Sequence, residues 1–248
     1  MKILITREEA LRNEVFASFV GTWQTRFDPR EDPFMVQEGL YYDREIEKER
    51  FFAQAEIDEI NRKELDEYLS LKDNVEIIKH EFYRELKYNL AFRDIFIYAI
   101  ALGDSFQKLS DELNKDIIFI LDYSVPWLYQ KNNFQPVEDA LNYLRQMGVS
   151  EHFVGGFKLG GDELAEFVSK LFWIIRCNAS LPYCWFSTES HAFVGSICKY
   201  GNIHLHTYSE KVKDEIEKFA RSNSLIEIEN CYEAFDEGGG IEGRQIVL

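Results

Sequence analysis

The stretch KDIIFILDYS, Lys115 to Ser124, constrains the fold more than any other part of the chain. Its centre, Ile117 to Leu121, is a run of apolar residues, β-branched and aromatic among them, with no polar position to turn toward water. A strand without alternation must be covered on both faces, so this one belongs inside a sheet with further layers above and below it. The sequence supplies the covering helices. VEDALNYLRQM repeats Val137, Ala140, Leu141 and Leu144 at helical spacing. ELAEFVSKLFWIIRC follows Asp162, and KVKDEIEKFARS follows Ser209, each a good N-cap. HFVGGFKLGG, Tyr183 to Thr188, Phe193 to Cys198, Ile203 to Tyr208 and LIEIEN read as further strands.

The fold class that follows is α/β (α+β): a mixed β-sheet with flanking helices in the C-terminal half, preceded by a mostly helical N-terminal part. Three regions are expected: 1–104, mostly helical; 105–235, the mixed-sheet region; and 236–248, a flexible acidic and glycine-rich tail. In the first region, 43–71 has one apolar stripe at helical spacing. A second helix is expected from Val75 to Leu102, with Val75, Ile78, Phe82, Leu86 and Leu90 on its inner face, a buried apolar end after Arg93, and Gly103 as its stop.

Charge narrows the partners. Asp and Glu total 44 against 28 Lys and Arg, a formal charge of −16. Such a field repels phosphate backbones and anionic lipid, so nucleic acid is not expected on a broad basic face, and no membrane partner is expected. A basic protein partner is favoured by the same field. No signal-peptide pattern opens the chain and no apolar run approaches a bilayer span, so a cytoplasmic location is expected.

No motif announces a reaction. Gly155 to Glu163 matches neither the phosphate-binding loop nor the dinucleotide fingerprint, and no cofactor is expected. The four cysteines, Cys177, Cys184, Cys198 and Cys231, have no close pair of the zinc-motif kind and read as buried apolar residues.

GNIHLHTYSE places His204 and His206 two apart on one strand, hence on one face with Tyr208, while Ile203, Leu205 and Thr207 face the core. A two-residue turn at Tyr200-Gly201 or Gly201-Asn202 would set Cys198 on the opposite face from both histidines, which argues against a joint metal site. A metal there would draw its third ligand from Asp122, His191 or another acidic side chain. Asp122 ends the apolar strand, a position where ligands collect in parallel sheets; its competing role is to cap the Ser-Val-Pro turn that follows.

Two functional readings result. The first is a non-catalytic, acidic protein-binding module of inhibitor, immunity or anti-defence type. It would meet a basic partner through Trp127 and Tyr129, read as exposed aromatics after Pro126, and through Glu227, Glu229, Glu233, Asp236 and Glu237, a stretch free of Lys and Arg. The alternative is a metal-dependent hydrolase of phosphoester-type bonds using Asp122, His204 and His206, with His204 and His206 as metal ligands.

Overall fold

A computed structural model of the chain describes residues 3–33, 35–43, 46–128, 131–177, 183–235 and 246–247. In chain order the elements are β1 (Leu4–Ile5), α1 (Arg7–Ala10), α2 (Glu14–Thr25), β2 (Gly39–Asp43), β3 (Lys48–Phe52), α3 (Gln54–Leu71), β4 (Arg84–Asn89), α4 (Ile95–Leu113), β5 (Ile117–Leu121), β6 (Lys131–Asn132), α5 (Gln135–Gln146), β7 (Gly156–Leu159), α6 (Gly161–Arg176), β8 (Cys184–Ser187), β9 (Phe193–Ile197), β10 (Ile203–Thr207), α7 (Glu210–Ser222), β11 (Ile226–Glu227) and β12 (Ile246–Val247).

Eight strands form the main sheet in the order β1-β7-β5-β8-β9-β10-β4-β11, with antiparallel pairings throughout. The apolar run is β5, near the middle, and every one of its residues is buried. One face carries Phe119, Leu121, Phe186, Phe193, Ile197, Ile203 and Leu205 into a large core with α4, α5, α6 and α7. The other carries Ile118, Ile120, Trp185 and Val194 against α1 and α2. Helices on both faces of one sheet make this an α/β protein, as the double coverage of β5 requires. No helix among the described residues is long and apolar enough to cross a membrane.

The N-terminal segment departs from its expected helices. The stripe at 43–71 is divided between the hairpin β2–β3 and the continuous helix α3. Val75 to Tyr83 has no regular structure, and Arg84 to Asn89 is a strand of the main sheet, not a helix. Leu86 and Tyr88 are buried with the half-buried Lys87 between them, a two-residue period hidden inside three- and four-residue spacings. The helix that follows runs through Gly103, which is no stop. A Cβ there would lie 2.2 Å from the carbonyl oxygen of Ala165, so the missing side chain lets α4 and α6 approach. The apolar start of α4 is not buried all round, because Phe96, Ile97 and Ile100 are exposed.

Candidate functional site

The hairpin β9–β10 decides which side chains meet. Its loop is Lys199-Tyr200-Gly201, three residues and not two. The Cys198 N–H donates to the Asn202 carbonyl (3.0 Å), and the Gly201 N–H donates to the Cys198 carbonyl (2.8 Å). Gly201 has φ +79°, the left-handed residue that closes three-residue hairpins. A Cβ on it would also strike the Tyr98 ring at 2.4 Å. The longer loop moves the register by one, to Ile203↔Ile197 and His204↔Ser196. A shift of one residue exchanges the faces of a strand. Cys198 therefore shares the face of His204, which corrects the opposite placement expected from a two-residue turn. The histidine row is as expected: Ile203, Leu205 and Thr207 are buried, and His204 and His206 are half-buried on the other face.

Cys231 arrives from beyond β11. Asn202, fully buried, donates from Nδ2 to the Tyr232 carbonyl (2.9 Å) and accepts from the Tyr232 N–H at Oδ1 (3.0 Å). Asn89 Nδ2 donates to the same carbonyl (3.2 Å). This clamp presses the 231–232 backbone onto the hairpin. The ligand atoms of Cys198, His204 and Cys231 then lie within 4.8 Å of one another, and all three residues are half-buried. His204 Nε2 is 3.2 Å from Cys231 Sγ. Tetrahedral zinc holds a Cys sulfur and a His nitrogen about 3.5 Å apart and two sulfurs about 3.8 Å apart, from its usual bond lengths. The three donors are thus within small adjustments of a zinc cradle.

Protonation and orientation suit that use. Burial lowers the His204 pKa, so the imidazole is neutral near pH 7 and keeps a free lone pair. Its Nδ1 lies 3.7 Å from Glu85 Oε1 across the β10–β4 pair, the carboxylate-behind-histidine arrangement common around zinc. Burial pushes the Cys198 thiol up to about 11, so an ion must displace its proton to bind. Beside the cluster lies a cavity of about 590 Å³ whose walls include Trp23, Tyr183, Trp185, Ser196, Lys199 and His206. Trp23, near the end of α2, packs edge-on against Trp185 (5.0 Å) and Tyr183 (4.9 Å) in the cavity wall.

Other sequence candidates fall elsewhere. Asp122 pairs in register with Tyr183, two strands or about 10 Å from Cys198, and does not line this cavity. Among the described residues its side chain makes no hydrogen bond to the Ser124–Pro126 turn; Trp23 Nε1 donates to Oδ2 (3.3 Å), and Oδ1 has no hydrogen-bond partner there. His191 is bonded to Thr188 Oγ1 (3.0 Å) on a different loop. Trp127, expected to be exposed, is 3% exposed and donates from Nε1 to the Gly155 carbonyl (2.9 Å); its ring belongs to the core. Glu227 pairs with Arg84 (3.1 Å) and Glu233 with Arg176, while Lys87 Nζ donates to the Glu229 carbonyl (3.5 Å). The chain's own cations therefore meet part of this acidic stripe. Tyr129, Asp236 and Glu237 lie outside the described residues.

Sequence reasoning missed Cys198 and Cys231 as ligands. The available signal was the Gly201-Asn202 pair, which suits a three-residue loop as well as a two-residue one. Comparison with family models, curated proteins and solved structures gives no match.

Proposed function

We propose that the chain is a zinc-dependent hydrolase, with Cys198, His204 and Cys231 as the metal ligands in place of the Asp122–His204–His206 set read from sequence. The convergence of two thiols and one imidazole within 4.8 Å at the edge of a cavity carries the reading. Two sulfurs and a nitrogen select zinc over magnesium or calcium, and three protein ligands leave a fourth position open, the pattern of catalytic sites. An ion held there would supply Lewis acidity and acidify water. Glu85 orients His204. His206, two residues along the strand and kept neutral by burial, is able to accept a proton.

The test is elemental analysis of the purified chain together with hydrolysis of p-nitrophenyl phosphate. The reading expects one zinc per chain and an activity that 1,10-phenanthroline removes, zinc restores and Cys198→Ser lacks. Bound zinc without hydrolysis of phosphoester or carboxylester probes would reduce the site to a structural one.

A second reading, the acidic module for a basic protein partner, draws support from apolar side chains left in solvent. Leu40 and Phe51 are cross-strand partners on the outer face of β2–β3 and are 71% and 57% exposed; Phe96, Ile97 and Ile100 are exposed on α4. Its signature is an association rate that falls steeply with added salt; an association indifferent to salt would remove it.

A further inference from the structure

A second cavity of about 450 Å³ lies on the same side of the sheet, between α2, the irregular segment 75–83 and the end of β10. Six of its lining residues carry rings, and Val15, Ile77 and Ile78 add aliphatic surface. Phe19 and Phe82 lie 5.1 and 6.1 Å from the His206 ring, and Phe82 and His80 lie 6.1 and 6.3 Å from Tyr208. The segment forming one wall is held by few backbone bonds, among them Ile78 N–H to Ser18 Oγ (3.0 Å) and Tyr83 N–H to the Thr207 carbonyl (2.9 Å).

Its charge is the reverse of the chain's. Among the described residues the charged side chains of the lining are Arg26 and Lys79, with no Asp or Glu, in a protein of formal charge −16. Neither Arg26 nor Lys79 has a carboxylate partner among the described residues. Arg26 lies over the Trp23 ring, 5.1 Å from its centroid. His80 Nε2 is shielded from solvent and has no hydrogen-bond partner among the described residues. Glu85, the cross-strand neighbour of His206, lines the other cavity. A ring-lined cleft with a few convergent polar groups is the usual form of a small-molecule site, and stacking walls select a flat ligand.

We infer that this cleft binds a small aromatic anion, its ring among Phe19, Phe82, His206 and Tyr208 and its phosphate or carboxylate against Arg26 and Lys79. The inference deepens the hydrolase reading and rests on it for its catalytic meaning. Trp23 and His206 line both cavities, and His206 is two residues, about 7 Å, from His204 along β10. A substituent on the bound ring would extend past these two residues toward the metal ligands. The substrate class is then an aromatic anion carrying a second, hydrolysable group.

Calorimetric titration of the full chain with phenyl phosphate, benzoate and benzyl alcohol tests the cleft by itself. Both anions should bind at least about tenfold more tightly than the neutral alcohol, the factor that one good charge-assisted contact supplies. The tighter of the two anions names the acid group. Arg26→Gln/Lys79→Gln, at exposed positions, should erase that preference while leaving benzyl alcohol unchanged, and Phe82→Ala should weaken all three. Cys198→Ser/Cys231→Ser should bind the anions as the wild type does. Equal affinity for alcohol and anions, no binding, or an undiminished preference in the Arg26/Lys79 variant overturns the inference. Anion binding by a chain that takes up no zinc removes the hydrolase reading alone; zinc uptake without anion binding removes the cleft alone.

Discussion

Asp122→Asn tests whether the buried carboxylate at the end of β5 is a strained structural group. Asp122 is 4% exposed, its Oδ2 accepts a bond of 3.3 Å from Trp23, and its Oδ1 meets no donor in hydrogen-bonding geometry among the described residues. Burial is the dominant influence and lifts its pKa from 3.8 to about 6, against smaller opposing effects from Trp23, two backbone N–H groups and Arg7. In the unfolded chain the group returns to its ordinary value. Between the two values the folded state binds the extra proton, so stability falls as pH rises from about 4 to about 6 and stays lower above that. A displacement of about two pH units, at about 1.4 kcal/mol each, makes the loss about 3 kcal/mol. Asparagine keeps the shape and an oxygen for Trp23 but has no charge to desolvate. Urea unfolding of both proteins at intervals from about pH 4 to about pH 7.5 provides the comparison. The stability of the variant relative to wild type should climb by about 3 kcal/mol across that range and then level. A difference that stays flat with pH would refute the reasoning, because the carboxylate would then be hydrated or paired in the fold.

Two further outcomes follow from packing and pairing. Gly103→Ala should destabilise by about 1–3 kcal/mol, despite alanine's higher helix propensity, because the added methyl meets the Ala165 backbone oxygen and must push α4 from α6; the urea midpoint reads this. Arg7→Gln should cost about 3–5 kcal/mol in the same assay, since Arg7 binds Asp73 through two bonds of 2.6 and 2.7 Å and donates to the Leu121 carbonyl (2.8 Å), with both side chains under 10% exposed.

The legible parts of this chain were those where local pattern and tertiary environment agree. Ile117 to Leu121 announced a doubly covered strand, and the alternation of Ile203, Leu205 and Thr207 with His204 and His206 gave the correct face for each. Residues 75–90 misled because Val75, Ile78, Phe82, Leu86 and Leu90 mimic a helical stripe, while the actual constraint is the vacant edge of β10 that β4 fills. Trp127 stands after a proline in a turn, where local sequence cannot reveal that Gly155 and the Phe157 ring close over it. The metal cluster was hidden for two reasons. One extra loop residue reverses the face of Cys198, and Cys231 is brought 27 positions back to His204 by the Asn202 clamp, which leaves no short motif.

Titration of the purified, metal-free chain with cobalt(II), followed by absorption in the near ultraviolet and visible, tests the central claim most directly. Cobalt adopts zinc's geometry, and a thiolate on it produces an intense sulfur-to-metal charge-transfer band. The account predicts that the band saturates at one cobalt per chain, weakens by about half in Cys198→Ser and in Cys231→Ser as one of two thiolates is lost, and disappears on adding zinc. Cobalt binding without that band, or a band untouched by both substitutions, would show that Cys198 and Cys231 are not the ligands.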